Sequence, residues 1–119
     1  ERPRRARAAS VAPTAPAVVE PVAIHLRALV HIERGDQRLA EQILAELGRL
    51  APRYVPGLME RALLHLRSGQ RQAAVTLMQE LLERTDGLDP ELTLAGPEPL
   101  PVRYYTASAK AFLDLQRVA

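Results

Sequence analysis

A chain of 119 residues is enough for one small domain and too short for two. Leu and Ala dominate it, with one Phe and no Trp, so the core is aliphatic, and the β-formers are too sparse for a sheet of several strands. The net charge of +2 is unevenly held: setting aside Glu1 with Arg2, Arg4, Arg5 and Arg7 turns 16 basic and 14 acidic residues into 12 and 13, which excludes a nucleic-acid reader with a basic folded face.

There is no Cys, which excludes disulfides and thiolate metal sites and leaves the redox compartment open. No apolar run is long enough to span a bilayer. The Arg cluster leads into a Pro-interrupted stretch rather than the apolar segment of a signal peptide, so the expected compartment is the cytoplasm. The first residue is Glu1 and not Met, so the chain is expected to be a piece or processed form of a longer protein.

Residues 1–21 are rich in Arg, Ala and Pro, with Pro3, Pro13, Pro16 and Pro21. Four prolines oppose a regular helix and favour a partly extended arm. Two readings are open for it: an interdomain linker kept soluble by its arginines, or an electrostatic tether for phosphate, lipid or an acidic partner.

From residue 22 the apolar period becomes helical. Ile24, Ala28, Leu29 and Ile32 form a first run, interrupted at Gly35-Asp36. Leu39, Ala40, Ile43, Leu44, Leu47 and Leu50 form a second, stopped by Ala51-Pro52. Leu58, Ala62, Leu63 and Leu66 follow, up to Ser68-Gly69-Gln70. Ala73, Ala74, Leu77, Met78, Leu81 and Leu82 make a fourth run, ending at Asp86-Gly87. The pattern predicts two helical hairpins, then a connection over 87–101 stiffened by Gly96-Pro97-Glu98-Pro99-Leu100-Pro101, open to reading as a plain loop or a binding loop, then a helix over about 103–117.

The two hairpins repeat one another. A shift of 34 residues pairs Arg27 with Arg61, Ala28 with Ala62, Leu29 with Leu63, His31 with His65, Gly35 with Gly69, Ala40 with Ala74, Glu46 with Glu80 and Leu47 with Leu81. Ile24/Leu58, Ile43/Leu77 and Leu44/Met78 match in kind, and no gap is needed from Pro21 to Pro52. Ala28, Ala40, Ala62 and Ala74 are predicted as close-packing positions where a larger side chain wedges helices apart. Gly35 and Gly69 are predicted to supply the backbone freedom of a helix-ending turn. Tyr105, Ala109 and Phe112 repeat the large, small, large spacing once more, so the last helix is expected to cap the stack.

The repeat length and these positions resemble the tetratricopeptide repeat. Small residues at 28 and 62 in the first helix, a turn glycine, small residues at 40 and 74, Leu44 and Met78 four later, and Pro52 fall where that family's pattern has them. The departures are Ile24 and Leu58 for Trp, His31 and His65 for Tyr, and Asp86 where a second Pro is usual. The resemblance implies an all-α fold: a right-handed stack of two antiparallel hairpins, about 21–52 and 55–86, plus a C-terminal capping helix, in one domain over 22–119. It also implies a protein-binding module whose first helices line a concave groove. The groove residues would be His25, Leu29, Ile32, Glu33, Met59, Leu63, Leu66 and Arg67, an apolar set with a polar rim suited to a partner peptide or helix. The Lys and Asn of domains that clamp a peptide C-terminus are absent there, which argues against that activity.

No Gly-rich phosphate loop, nucleophile elbow or metal-ligand motif is present, so no catalytic, cofactor or metal site is expected. His31 and His65 share a repeat position, which favours a packing or hydrogen-bonding role. His25 is read as a partner contact, with no carboxylate set beside it for acid–base work. Arg27 and Arg61 also recur, as solvated outer-edge charges or an anion site.

A further likeness concerns the whole layout. Linker, two hairpins and an acidic, Pro-containing segment before a last helix are similar to the C-terminal tetratricopeptide appendage of bacterial chemotaxis-type methyltransferases. That likeness implies a regulatory part of a signalling enzyme, docking it to chemoreceptors, to another signalling protein or to its own catalytic domain. Membrane-anchored assembly proteins and bacterial kinases share the layout. Exposed apolar surface on so short a stack also allows self-association.

Overall fold

The computed structural model describes residues 20–118, and of the arm expected over 1–21 only the last two residues fall within them. Among the described residues the protein is mainly α-helical. Helices α1 (Pro21–Glu33), α2 (Gln37–Leu50), α3 (Val55–Arg67) and α4 (Arg71–Thr85) are followed by strands β1 (Thr93–Leu94) and β2 (Leu100–Pro101) and by helix α5 (Val102–Val118). Each helix packs on the next in sequence, and α5 also reaches α3.

Local chemistry accounts for the helix ends. Pro21 opens α1, where a missing N–H costs nothing, and Pro56 lies in the first turn of α3. Asp36 caps α2 by accepting the Leu39 N–H at 3.3 Å. Helices α1 and α3 end in the same turn. Gly35 and Gly69 adopt φ of 82° and 77°, the Asp36 and Gln70 N–H groups each donate to the carbonyl of His31 or His65 at 2.8 Å, and the Gly35 and Gly69 N–H groups donate to the carbonyls of Ile32 and Leu66. Two identical turns give the hairpins α1/α2 and α3/α4 the same geometry of reversal.

The four alanines Ala28, Ala40, Ala62 and Ala74 are wholly buried, so the paired helices meet at close range. Ala28 and Ala40 join Leu44, Leu47 and Leu64 in one core cluster. Ala62 and Ala74 join Leu58, Leu77, Met78 and Leu81 in a second, which Tyr105 and Ala109 of α5 complete. Helix α3 contributes to both clusters and ties them into one body. Burying a Leu as fully as Leu47 or Leu81 contributes about 1.5–3 kcal/mol.

The connection over 87–101 is more structured than a plain loop. Thr93 pairs with Pro101 and Leu94 with Leu100 in an antiparallel ladder. Pro101 has no N–H to donate, which suits a ladder of two residues a side. Val102 and Arg103 donate their N–H groups back to the carbonyls of Leu92 and Pro90, and Arg103 pairs with Glu91 at 3.1 Å. These bonds set the start of α5 against the returning segment.

Candidate functional site

An open groove of about 210 Å³ lies between α1, α3, the start of α5 and the segment before β2. Its apolar lining comes from Leu29 on α1 and Met59 and Leu63 on α3, together with Leu100 and Tyr104. Leu63 and Tyr104 are 40% and 47% exposed, so both offer apolar surface to an occupant. Met59, at 7%, forms part of the floor.

The segment before β2 makes one wall. A Cβ added at Gly96 would meet the Pro56 ring at 3.3 Å, so Gly96 packs the returning chain directly on the start of α3. That approach sets Pro97 and Glu98 at the groove edge. On α3 itself, Gly57 leaves room for Tyr54: a Cβ there would lie 3.0 Å from the Tyr54 ring and 3.2 Å from the Leu47 side chain. Tyr54 can therefore fold over its own helix and reach α1.

What Tyr54 reaches is His25. The His25 Nδ1 lies 2.8 Å from the Tyr54 hydroxyl, and its Nε2 lies 3.1 Å from Glu60 Oε1. With the Nε2 N–H donating to the Glu60 carboxylate, Nδ1 is left to accept the Tyr54 hydroxyl proton. Burial pushes the Tyr54 phenol well above its ordinary pKa, with Tyr105 and Glu60 adding to the shift. Tyr105 is also raised, first by burial and then by Tyr104, Glu98 and Glu60. The chain of bonds thus ends in a phenol held neutral. It joins α1 to α3 and presents no activated nucleophile to the groove.

A second bridge crosses from α2 to α3. Glu41 Oε2 accepts from Arg61 Nε at 2.7 Å and from His65 Nε2 at 2.8 Å, and Ser68 Oγ donates to Gln37 Oε1 at 3.0 Å. Arg61 is therefore not a solvated edge charge, and His65 has a hydrogen-bonding role; both hold one helical pair to the next.

The groove brings together His25, Leu29, Met59 and Leu63 of the residues expected to contact a partner. The others lie elsewhere. Ile32 packs against the first core cluster and Leu66 against the second, because both project toward the neighbouring helix of their hairpin. Glu33 is exposed at the end of α1, and Arg67 is exposed with its guanidinium 3.8 Å from Glu60. His25 needs a correction of role. It is 3% exposed and both ring nitrogens are bonded internally, so it is a wall of the groove rather than a free contact. A carboxylate does stand beside it, since Glu60 comes from 35 residues further on.

Pro97, Glu98 and Leu100, from the connection open to reading as a plain or a binding loop, also line the groove, as do Pro56, Glu60 and Tyr104, which the sequence does not mark out. Glu60 falls on Leu26 in the 34-residue register, so the repeat hides it. Glu98 and Tyr104 sit outside the repeats, and only the return of the chain onto α3 brings them in. Among the described residues no three His, Asp or Glu side chains gather in a way that could hold a metal ion. None of the described helices is long and apolar enough to cross a membrane. In comparisons with known proteins, no family model, no curated protein and no solved structure matches this chain.

Proposed function

We propose that the chain is a tetratricopeptide-like protein-interaction module that takes a partner peptide or helix in the groove between α1, α3 and α5. The observation that carries the reading is that two exposed apolar side chains, Leu63 of α3 and Tyr104 of α5, line one groove together with the buried Met59. Apolar side chains from two helices left open to water in one groove suit an apolar segment more than a polar small molecule. The 34-residue register, the buried alanines and the two matching glycine turns support the repeat reading.

The rim narrows the choice of partner. Glu60 and Glu98 place two carboxylates at the groove. Glu98 has no cation within ion-pair distance among the described residues, while Glu60 gives Oε1 to His25 and its Oε2 meets Arg67 only at 3.8 Å. The partner segment accordingly carries a Lys or Arg next to its apolar anchor, where charge complementarity adds specificity. A peptide-display selection on the whole chain tests this. Selected sequences should pair an apolar anchor with a basic residue and lose binding to the Leu63→Glu variant. Selections without consensus, or peptides indifferent to Leu63→Glu, count against the groove.

A further inference from the structure

The 34-residue register allows one face of α1 to be compared with the same face of α3. On α3 that face is covered: Leu64 is 2% exposed in the core cluster it shares with Leu44 and Leu47 of α2, and Arg61 and His65 both hold Glu41 of α2. On α1 the same positions are Val30, Arg27 and His31. Val30 is 46% exposed, Leu26 on the same helix is 47% exposed, and among the described residues neither Arg27 nor His31 has an ion pair. Beside them an open groove of about 260 Å³ runs between α1 and α2, lined by Ile24, Ile43 and the 44%-exposed Leu50 together with Arg27, Gln42 and Glu46. One face thus occurs twice, once with its covering helix and once without.

We infer that the outer face of α1 and α2 is a second docking surface, and that it takes an amphipathic helix from a partner built like α2. The α2–α3 contact supplies the specification. The docking helix carries a carboxylate at the place of Glu41, to accept from Arg27 and His31, with leucines three and six residues later at the places of Leu44 and Leu47, to cover Val30. Charge disfavours the nearest rival. The N-terminal arm brings Arg2, Arg4, Arg5 and Arg7 toward Arg27, and from residue 2 to residue 19 it has no carboxylate to take the place of Glu41. The chain's own α2 and α4 are already committed, to α3 and to α5.

The probe is a synthetic peptide of residues 36–51, capped at both ends, titrated into the isotope-labelled whole chain and followed by NMR. An isolated helix of this length is marginal in water, so the peptide orders on binding and is tested up to millimolar concentration. Saturable shifts at Ala23, Leu26, Arg27, Val30 and His31 are expected. Val30→Glu should abolish them with helicity and melting unchanged, since Val30 is exposed. The peptide carrying Glu41→Gln should bind about tenfold more weakly, the loss of a charge-assisted bond. No shifts at millimolar peptide, shifts confined to the Leu63 and Tyr104 groove, or shifts centred on α3 through displacement of its own α2 would each overturn the inference. So would a self-associated form of the unliganded protein that Val30→Glu dissociates, or peptide binding that appears only once residues 1–19 are deleted, since a second copy or the arm would then own the face. Loss of groove binding in Leu63→Glu leaves these outcomes untouched, which keeps the two surfaces separable.

Discussion

The imidazole of His25 and the phenol of Tyr54 meet edge to face, with ring centres 5.6 Å apart and the Tyr54 hydroxyl 2.8 Å from Nδ1. Since His25 is 3% exposed, no water replaces that bond if it is lost. Tyr54→Phe keeps the ring contact and leaves Nδ1 buried without a donor, at a cost of about 1–3 kcal/mol. Urea unfolding followed by circular dichroism measures it, and an unchanged midpoint would show the bond to be energetically idle.

The raised Tyr54 and Tyr105 phenols give the fold an alkaline limit. Their pKa values lie above the ordinary 10.0 in the folded chain, so folding favours the neutral forms. The stability this contributes is complete below pH 10 and is lost as pH rises past it, because the unfolded chain releases those protons first. Thermal melts from pH 8 to above 11 should hold steady and then fall above about pH 10. The fall should be smaller in the Tyr54→Phe, Tyr105→Phe double variant; an equal fall would assign it to other groups.

Close packing at the repeated alanines gives a paired test. Ala62→Leu, at a wholly buried position, is expected to cost about 1–3 kcal/mol by overpacking. Ala107→Leu, on the exposed side of α5, should stay within about 0.5 kcal/mol of the parent. Denaturant midpoints for the two distinguish the helix-to-helix face from the solvent face.

Two glycines should fail for different reasons. A Cβ at Gly69 meets nothing within 4 Å, so Gly69→Ala suffers only the left-handed backbone, about 1–2 kcal/mol. Gly57 lies in a helix, where Ala is intrinsically better by about 1 kcal/mol, but its Cβ would press on Tyr54 at 3.0 Å. Gly57→Ala therefore disturbs the Tyr54–His25 bond, visible as a shift of the His25 ring resonances, whereas Gly69→Ala leaves those resonances in place.

Much of the helical order was legible in the chain because long apolar runs of period 3.6 and turn glycines are local signals. The Gly35 and Gly69 turns lie between helices that end within two residues of the expected breaks. The β1–β2 ladder was not legible, since two residues a side leave no alternation to read. The groove was legible only in part. Leu29 and Leu63 stand at equivalent positions, and both line it. Ile32 and Leu66 are spaced just as regularly, yet they turn into the core, because periodicity gives a helix an apolar stripe without saying which neighbour covers which edge. His25 required Tyr54 and Glu60, 29 and 35 residues away, and no local pattern links such distant groups.

The groove and the outer face of α1 can be told apart in a single calorimetric series. A display-selected peptide bearing an apolar anchor and a basic residue is titrated into the parent chain, Leu63→Glu and Val30→Glu. Both substituted positions are exposed, so both variants should fold as the parent does. The account predicts that Leu63→Glu loses measurable binding while Val30→Glu binds within about twofold of the parent, because Val30 does not line that groove. Full binding by Leu63→Glu would contradict the assignment of the groove as the partner site.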